Sequence, residues 1–494
     1  MARPLNVLFL SSEVEPFAKT GGLADVSGAL PQIIKHFDHE IRIMMPRYGG
    51  ISERKAKLHD MIRLKDITVP VGNKPYSASV KSSFIMNNHS KIQIYFLDNP
   101  ALFGRFGLYV DPETKKDYPD NDVRFIFFSR GVLEVLKRMG WQPDVIHCND
   151  WQTGLVPAYL KTTYKDDPFY KETKTIFTIH NMAYQGVFPQ STFSKTSLPP
   201  EMFSDNGVEA HGHVNLLKSG LMFADAITTV SMKYAEEIRS SEEYGCGLQA
   251  AVDKRKNDLF GILNGIDYSI WNPAVDEHIP HRYDYKSIDL KLENKKTLLA
   301  KVGLPFQESA PLIGIISRLA DQKGFDLIGE IIDEMMKLEM QLVVLGTGEK
   351  RYHDMMERAK KKYPMKIALQ LSFDDELAHL IEAGSDMFLM PSRYEPCGLN
   401  QLYSLKYGTV PIVRATGGLD DTIEQVDPVT GEGTGFKFTP YDSGELLRTI
   451  QCALHVFKDR TTWRKIIKNG MCKDFSWESS AKKYIHLYRS LAKK

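Results

Sequence analysis

The stretch KTGGLADVSGALP, residues 19–31, combines a cation and glycines in a pattern that suits the binding of an anion. It follows the apolar run NVLFLSSEVEP, and Lys19, Gly21 and Gly22 stand where a predicted strand gives way to a predicted helix. Such a turn places backbone N–H groups and about half a positive elementary charge at the mouth of a sheet. Glycine also lets the backbone approach a ligand where a Cβ would obstruct it. The alternative is that the glycines only permit a tight connection while Lys19 is solvated.

A second pair of cations follows another predicted strand. Arg318 and Lys323 lie five residues apart in SRLADQKG, where the strand LIGIISR leads into a helix. Fixed cations at such a point can stabilise an anionic group, although solvated surface cations are the alternative. The GxxxxGK[ST] phosphate loop is absent from the chain, and in LVVLGTGEKR Arg351 stands where a dinucleotide fingerprint needs its third glycine. Any phosphate is therefore bound in another way.

The segment EPCGL places a carboxylate, a thiol and a glycine at one strand-to-helix junction. Glu395 follows the predicted strand DMFLMPS, and a carboxylate there can accept hydrogen bonds from hydroxyl groups while helix-start amides hold phosphate. Cys397 is a candidate nucleophile, but without a neighbouring histidine we interpret it as a packing and ligand contact. Gly417 and Gly418 repeat the strand–glycine–helix pattern after TVPIVRA, and we expect them to offer amides to a phosphate.

Asp120 and Asp122 form a DxD pattern, the spacing of a metal-dependent site. They stand in a polar segment just before a predicted helix, where acidic residues act as caps, and we predict no catalytic metal. His180 and Asn181 end the run KTIFTIHN. In α/β enzymes the chemistry lies outside the carboxyl ends of the strands, although a lone histidine there is more often a structural donor.

Short runs rich in β-branched and aromatic residues predict the strands that position these residues. They are NVLFLSS, EIRIMMP, KIQIYFLD, DVIHCND, KTIFTIHN, DAITTVS, LFGILNG, LIGIISR, MQLVVLG, KIALQLS, DMFLMPS and TVPIVRA. Helices are predicted at 122–139, 152–161 and 325–336, and the tail WESSAKKYIHLYRSLAKK has apolar residues at helical spacing. Strands that alternate with helices indicate parallel sheets and an α/β fold.

The length of 494 residues exceeds what one hydrophobic core usually supports, so two domains are expected. We predict a first Rossmann-like domain at 1–263, a connection at 264–296, a second Rossmann-like domain at 297–475 and a final helix at 476–494. Each domain is expected to be a doubly wound parallel sheet.

Composition limits the partners of the chain. Its 63 Lys and Arg residues nearly balance its 62 Asp and Glu residues, which argues against nucleic acid or an acidic membrane surface as a partner. The five scattered cysteines show no C-x-x-C spacing and indicate a reducing compartment. The start of the chain lacks a signal-peptide pattern and no apolar run of about 18 residues occurs, so we expect a soluble, cytoplasmic protein.

Seven stretches in order resemble bacterial glycogen synthases and plant starch synthases over residues 5–480. They are KTGGLADVSGALP, PRYGG, HCNDWQTGL, TIHNMAYQG, SRLADQKG, SRYEPCGLNQLYSLKYG and ATGGLDDTI. The resemblance implies the two-domain GT-B fold with a nucleotide sugar in the interdomain cleft and a C-terminal helix that crosses back to the first domain. It also implies transfer of α-glucosyl from ADP-glucose to an α-1,4-glucan or maltooligosaccharide with retention, without metal or cofactor. A mature plant-type chain would work in the plastid stroma.

The resemblance also implies roles for individual residues. It assigns catalysis to Lys19, His180, Arg318, Lys323 and Glu395. It assigns the donor to Lys19, Gly21, Gly22, Asp25, Asn181, Asn264, Arg318, Lys323, Gly346, Phe373, Glu395, Cys397, Gly398, Leu399, Thr416, Gly417 and Gly418, and the acceptor to Tyr48, Gly49, Tyr109, Asp150 and Trp151.

Several of these assignments have alternatives. Asp25 and Asp150 stand where an acidic residue favours a helix start, and Phe373, Tyr48 and Tyr109 are equally suited to packing. Many retaining GT-B enzymes carry a second glutamate eight residues after the first. Here that position is Tyr403, so the ribose contact of that glutamate is not carried over to this chain.

Three functions remain open from sequence. The first is the glucan-elongating transferase, using ADP-glucose or UDP-glucose. The second is a catalytically silent glucan-binding protein. The third is another GT-B enzyme, such as a sucrose or trehalose-phosphate synthase. The oligomeric state is not predicted.

Overall fold

The computed structural model describes residues 3–86 and 90–493 and divides the chain into two compact units. The first comprises Met1–Val230, Ala235–Gly265 and Trp477–Lys494, and the second Ser231–Tyr234 and Ile266–Ser476. Most of segment 264–296, which we expected to connect the domains, therefore belongs to the second unit. In the part of the chain that is described, no helix is long and apolar enough to cross a bilayer.

The first unit is built on a ten-stranded sheet in the order β13-β12-β8-β7-β1-β2-β6-β5-β3, with β4 paired to β5. Its strands from β13 to β6 are parallel, whereas β5 runs antiparallel to β6. A small antiparallel sheet contains β10, β11 and β9. The strands are β1 Asn6–Leu10, β2 Glu40–Pro46, β3 His59–Asp60, β4 Ile67–Val71, β5 Lys74–Met86, β6 Lys91–Asp98, β7 Val145–Asn149, β8 Lys174–Ile179, β9 Val187–Pro189, β10 Glu209–Ala210, β11 His213–Asn215, β12 Ala226–Thr229 and β13 Leu259–Gly261.

Helices connect the parallel strands of this sheet. They are α1 Gly22–His36, α2 Pro100–Phe103, α3 Asn121–Met139, α4 Leu155–Lys161, α5 Phe193–Thr196, α6 Leu216–Phe223, α7 Met232–Ser240, α8 Glu242–Gly245 and α9 Gln249–Lys254. The predicted helices at 122–139 and 152–161 correspond to α3 and α4, although α4 begins three residues later, after a short 3-10 turn at Trp151–Thr153.

The second unit contains a six-stranded sheet in the order β16-β15-β14-β17-β18-β19. All of its strand pairs are parallel. Its elements are α10 Lys291–Val302, β14 Leu312–Ile316, α11 Phe325–Lys337, β15 Gln341–Leu345, α12 Lys350–Lys362, β16 Ile367–Gln370, α13 Asp375–Gly384, β17 Met387–Met390, α14 Asn400–Tyr407, β18 Val410–Arg414, α15 Gly417–Thr422, β19 Phe436–Phe438, α16 Ser443–Phe457 and α17 Arg460–Met471.

The predicted apolar face of α11 is buried in the core of this unit. Phe325, Ile328 and Met335 are fully removed from solvent there, because the helix turns one stripe of side chains toward the sheet. The chain then returns to the first unit as helix α18, Trp477–Ala492, which packs against α1.

Strand order decides where a ligand can bind in each sheet. In the second unit the chain steps from β14 outward to β15 and β16, then returns to β17 on the other side of β14. In the first unit β1 likewise lies between β2 and β7. Loops leave in opposite directions at such a reversal and open a crevice at the carboxyl ends of the strands. The loops after β1, β7, β14 and β17 are therefore the ones to inspect.

Candidate active site

The loop after β1 carries Lys19 in an exposed ion pair. Its Nζ donates to Asp25 Oδ1 at 2.6 Å, and about half of the lysine side chain is exposed. Asp25 therefore partners Lys19 in the first turn of α1. An exposed pair of this kind contributes little stability, so the ammonium group can exchange this partner for an anion.

The two glycines of the same loop face open space where a side chain would lie. A Cβ added at Gly21 or Gly22 would have no atom within 4 Å, and the φ of Gly21 is −162°, which any residue can adopt. The tight-connection alternative therefore does not explain these glycines. The open space in front of them fits the close approach of a ligand.

Glu13 is a residue of this loop that the sequence analysis missed. Its buried carboxylate accepts hydrogen bonds from Thr20 N and Oγ1 at 2.6 Å, from Gly21 N at 3.3 Å and from Tyr109 OH at 2.8 Å. One carboxylate thus holds the backbone just before α1. The only signal in the sequence is a charged residue directly after a buried strand.

His180 and Asp150 meet at the ends of β8 and β7. The backbone N–H of His180 donates to Asp150 Oδ1 at 2.8 Å, and His180 Nε2 lies 2.9 Å from Asn149 Oδ1. Because the amide nitrogen of Asn149 donates to Leu10 O, its oxygen accepts from Nε2–H, and Nδ1 of His180 is left as the acceptor. Sequence reasoning missed Asn149, which fixes this tautomer.

Burial sets the protonation states at this point. It lowers the pKa of His180 to about 4, so the imidazole is neutral at neutral pH. It raises the pKa of the Asp150 carboxyl to about 7, against the opposing hydrogen bond from His180 N–H. Asp150 also has φ 55° and ψ −179°, a conformation that costs a residue with a Cβ roughly 1–3 kcal/mol and marks functional sites.

Two predicted acceptor residues have packing roles in the first unit. Tyr48 is 1% exposed and packs edge-to-face on Phe103, so the packing alternative is correct. A Cβ on Gly49 would lie 2.6 Å from the backbone of Gly104, which explains the glycine by close packing. The Tyr48 hydroxyl has no hydrogen-bond partner among the described residues and Gly49 is partly exposed, so contact of either residue with an acceptor stays a prediction.

Tyr109 and Trp151 are both held by the protein. Tyr109 is partly buried; its OH contacts Ser12 and Glu13, and its ring lies 6.1 Å from that of Trp151. Trp151 is buried against Phe125. Tyr109 therefore remains partly exposed next to Trp151. Trp151 itself serves mainly as packing.

In the second unit Lys323 and Glu395 form a close ion pair. Lys323 Nζ lies 2.6 Å from Glu395 Oε2, and Ser392 Oγ donates to the same oxygen at 3.0 Å. The glutamate side chain is only 8% exposed, so loss of Lys323 would leave a nearly buried carboxylate without a cationic partner. Sequence reasoning missed Ser392, which lies three residues before Glu395.

Arg318 lies close to this pair in sequence but is exposed. Its guanidinium donates one hydrogen bond to the described residues, from Nη2 to Gln322 Oε1 at 3.3 Å. Asn400 Nδ2 fixes the end of β14 by donating to Ile316 O at 2.6 Å. The loop is therefore anchored while its guanidinium remains available to a ligand.

The amides at the start of α14 are better placed for phosphate than those of α15. Among the described residues, the N–H groups of Gly398 and Leu399 donate to no backbone carbonyl. The N–H of Gly418, in contrast, donates to Glu395 O and Pro396 O at 3.1 Å. Our expectation that Gly418 gives its amide to a phosphate is therefore wrong for this structure.

Three predicted glycines are required by the fold itself. A Cβ on Gly346 would lie 1.8 Å from Ser317 O, and one on Gly417 or Gly418 would lie 2.0 Å from Glu395 O or Cys397 O. Gly346 and Gly417 also have positive φ values of 150° and 45°, which disfavour any side chain. Gly417 and Gly418 thus allow their loop to pack against the backbone of the segment that carries Glu395, whereas Gly346 packs against the start of the loop after β14.

Other predicted donor residues vary in exposure. Phe373 is 88% exposed, which excludes the packing alternative and leaves a stacking role as a prediction. The side-chain oxygen of buried Asn264 has no hydrogen-bond partner in the described structure. Cys397 and Thr416 are buried, and Asn181 Oδ1 accepts from Ala183 N.

The DxD pattern is engaged in ion pairs. Asp120 pairs with Arg105 at 2.5 Å, and buried Asp122 pairs with Lys195 at 2.5 Å and accepts from Thr192 Oγ1. Both carboxylates are thus engaged by cations, and Asp120, which directly precedes α3, makes no side-chain capping hydrogen bond to that helix.

Comparisons with known proteins identify the relatives of the chain. Residues 6–254 match the family described as Starch synthase catalytic domain, and residues 299–470 match Glycosyl transferases group 1. A glycogen synthase from Koribacter versatilis is 47% identical over 98% of each chain. This chain belongs to the glycogen synthase and starch synthase family.

Further relatives agree with this family membership. A glycogen synthase from Thermotoga maritima is 43% identical over 99% of each chain. The catalytic domain of Starch Synthase IV from Arabidopsis thaliana, bound to ADP and acarbose, is 32% identical with a TM-score of 0.88 over 100% of each chain. Sucrose-phosphate synthase from Thermosynechococcus elongatus, at 17% identity and a TM-score of 0.58 over 99% of each chain, shares only the fold. This member of the glycogen synthase family is a glucosyltransferase with the GT-B fold, as the sequence motifs predicted.

Proposed function

We propose that this enzyme transfers an α-glucosyl unit from ADP-glucose to the non-reducing 4-hydroxyl of an α-1,4-glucan, with retention of configuration. The observation that carries the proposal is the Lys323–Glu395 ion pair beside the open amides of Gly398 and Leu399. The ADP and acarbose bound to the Arabidopsis relative support the same donor and acceptor classes here.

In the second unit we assign the binding of the diphosphate to cationic side chains and backbone amides. Cleavage of the donor bond leaves extra negative charge on the diphosphate, and catalysis requires this charge to be stabilised more in the transition state than in the substrate. Arg318 and Lys323 supply full positive charges, and the start of α14 supplies N–H donors. Because these groups are fixed before the reaction, they need little reorganisation as charge develops.

We assign the binding of the transferred glucose to Glu395. With Lys323 and Ser392 on Oε2, its remaining lone pairs can accept hydrogen bonds from glucose hydroxyls. Its negative charge also favours the positive charge that develops on the ring as the bond to phosphate breaks.

In the first unit we propose that Asp150 and Tyr109 contact the acceptor and that Lys19 and His180 contact the donor. Neutral His180 offers Nδ1 as an acceptor for a sugar hydroxyl, and the Asp150 carboxyl, with a pKa of about 7, can donate or accept there. The loop held by Glu13 keeps the open space before Gly21 and Gly22.

Retention is proposed to follow front-face substitution. The acceptor 4-hydroxyl forms its bond to C1 of glucose on the face from which the diphosphate departs. The C1–oxygen bond of the donor breaks, and a departing phosphate oxygen takes the proton of the hydroxyl.

The deciding experiment supplies ADP-glucose or UDP-glucose with maltooligosaccharide and measures release of each diphosphate. We expect chain elongation with ADP as the preferred product, and nuclear magnetic resonance should detect new α-linkages. Preference for UDP-glucose would overturn the donor assignment. Glucan binding without turnover from either donor would favour the catalytically silent protein.

A separate prediction concerns metal dependence. Because Asp120 and Asp122 are occupied by Arg105 and Lys195 and cations serve the diphosphate, excess EDTA should leave the initial rate of transfer unchanged. The measurement is the rate after chelation and desalting. Loss of activity that returns with magnesium or manganese would contradict the proposed charge stabilisation.

A further inference from the structure

One cluster outside the predicted active site brings two imidazoles and a carboxylate together. His278, Asp375 and His379 each offer a ligand atom, and these atoms all lie within 4.8 Å of one another. Asp375 and His379 are four residues apart on α13, so they share one face of the helix. His278 comes from the irregular segment that precedes α10.

The buried histidine of this cluster is held in one orientation. Asp276 Oδ2 accepts from His379 Nδ1 at 2.8 Å, and Tyr407 OH donates to the same oxygen at 2.5 Å. The Trp271 ring stacks on the imidazole of His379 at 3.8 Å with an interplanar angle of 10°. The hydrogen bond to Asp276 places the proton on Nδ1 and leaves the lone pair of Nε2 for a ligand.

The same aspartate also orients the second histidine. Asp276 Oδ1 accepts from the backbone N–H of His278 at 2.8 Å, and the two histidine rings lie 4.6 Å apart. A buried carboxylate that orients a ligating histidine through its other ring nitrogen is the usual support of a metal ligand. It distinguishes this cluster from a chance grouping of surface acids and histidines.

Asp375 is not required by the helix on which it stands. The N-terminal cap of α13 is Asp374, whose side chain accepts from Leu377 N at 2.9 Å. The side chains of Asp375 and His278 are exposed and form no hydrogen bond or ion pair with other described residues. Neither side chain has to give up a hydrogen bond or an ion pair with the described residues in order to turn toward His379.

We propose that His278, Asp375 and His379 bind one divalent transition-metal ion, with zinc as the best match to the ligand set. Two imidazole nitrogens and one carboxylate oxygen form a zinc site that keeps a fourth position for water. Ligands about 2.0–2.1 Å from zinc in tetrahedral geometry are roughly 3.3 Å apart, so the two exposed side chains close the remaining distance. The bound ion would join the segment at 276–278 to the start of α13.

The test measures zinc binding by the full chain after EDTA treatment and desalting. Competition with a chromophoric chelator gives the affinity, and cobalt substitution gives a visible absorption spectrum of the bound ion. We expect one high-affinity equivalent of zinc, and a higher thermal unfolding temperature with zinc than without it.

Variants of the two exposed ligands separate this site from other histidines. His278→Ala and Asp375→Asn should each weaken zinc binding at least ~10-fold, the lower end of the effect of changing even an outer-shell partner. His455→Ala, which changes an exposed histidine elsewhere in the second unit, should bind zinc like the unaltered chain. Neither ligand variant should change transfer in the presence of EDTA.

Two results would overturn the proposal. One is the absence of zinc binding and of a cobalt spectrum in the unaltered chain. The other is equal zinc affinity in the unaltered chain, His278→Ala and Asp375→Asn, which would locate any bound ion elsewhere.

Discussion

The Lys323–Glu395 pair makes each of these residues necessary for the position of the other. Glu395 is almost removed from solvent, and its Oε2 contacts both Lys323 and Ser392. Removing Lys323 would therefore leave a buried carboxylate without its cation, which costs stability as well as activity. A variant at either residue mixes these two effects, whereas Arg318 is exposed and separates them.

Arg318→Ala should reduce the rate of transfer by up to about 10³-fold while the protein remains folded. A charge contact at about 4 Å is worth roughly 4 kcal/mol at an effective dielectric of 20, which corresponds to about three factors of ten in rate. The measurement is kcat/KM for the donor, alongside the unfolding midpoint.

The matched control for this change is Arg448→Ala. Arg448 is an exposed arginine of the same unit paired with Glu445 on α16, and its loss should leave kcat/KM unchanged. Near-normal turnover of Arg318→Ala would remove this arginine from the proposed charge stabilisation.

Asp150→Asn should change the pH dependence of stability. The pKa of Asp150 is about 7 in the folded chain and about 4 in the unfolded chain. Between about pH 4 and pH 7 the unfolded chain has therefore released a proton that the folded chain keeps. The contribution of this group to the free energy of unfolding is therefore present below about pH 4 and falls as pH rises to about 7. The asparagine variant lacks this loss.

The quantity to measure is the difference in free energy of unfolding between Asp150→Asn and the unaltered chain. It should shift in favour of the variant by up to about 4 kcal/mol from pH 4 to pH 7. His180, with its pKa lowered to about 4, contributes the opposite slope, but it is present in both proteins and cancels. A constant difference across this range would show that Asp150 has an ordinary pKa.

At the scale of elements, the segment between β1 and α1 is organised by Glu13. Its carboxylate satisfies the N–H groups of Thr20 and Gly21 as well as the hydroxyl of Tyr109. The glycines themselves have no packing contact that would hold them. The shape of the candidate anion site therefore depends on one buried side chain that does not need to touch the ligand.

Glu13→Gln should loosen this segment. The amide nitrogen of glutamine would face N–H and O–H donors, leaving buried donors unsatisfied at a cost of about 1–3 kcal/mol. We expect a lower unfolding midpoint and a higher KM. The measurements are chemical denaturation and steady-state kinetics.

Glu53→Gln provides the comparison for Glu13, because it changes an exposed acid of the same unit that pairs with Arg47. It should leave both stability and KM close to those of the unaltered chain. Equal behaviour of the two variants would rule out the organising role of Glu13.

At the scale of the whole molecule, the first unit is completed by the end of the chain. Helix α18 packs on α1, and Tyr488 OH lies 2.7 Å from Nδ1 of buried His147. Burial lowers the pKa of His147 to about 3, so this contact holds a neutral imidazole. Segments at the two ends of the sequence therefore share one hydrophobic core.

Removal of residues 477–494 should destabilise the first unit and leave the second folded. The loss exposes α1 and takes away the partner of His147, whereas the core of the second unit is made within 266–476. Hydrogen exchange should detect lost protection in peptides of the first unit alone. Tyr488→Phe should have a smaller effect, about 1 kcal/mol, and unchanged protection after truncation would contradict this view of the fold.

Elements with strong local patterns were predicted well from sequence. Every apolar run that we identified as a strand forms one, and α3 and α11 begin within one residue of their predicted starts. The antiparallel β4 and β5 at the edge of the first sheet were not predicted. β5 lies between β6 and the two strands β3 and β4, but many of its side chains are at least partly exposed. An antiparallel strand with one face toward solvent lacks the continuous apolar run by which the buried parallel strands were predicted.

By itself the sequence determined the alternation of strands and helices and the family, and it supplied the candidate site residues. Only the tertiary structure decided the surroundings of the candidate residues: it buried Tyr48, paired the amide of Gly418 within the protein, and brought in Glu13, Asn149 and Ser392. The physical reason is that strand and helix periodicity is a local property of the chain. Hydrogen-bond partners and burial instead depend on residues far apart in sequence, which no spacing rule can supply.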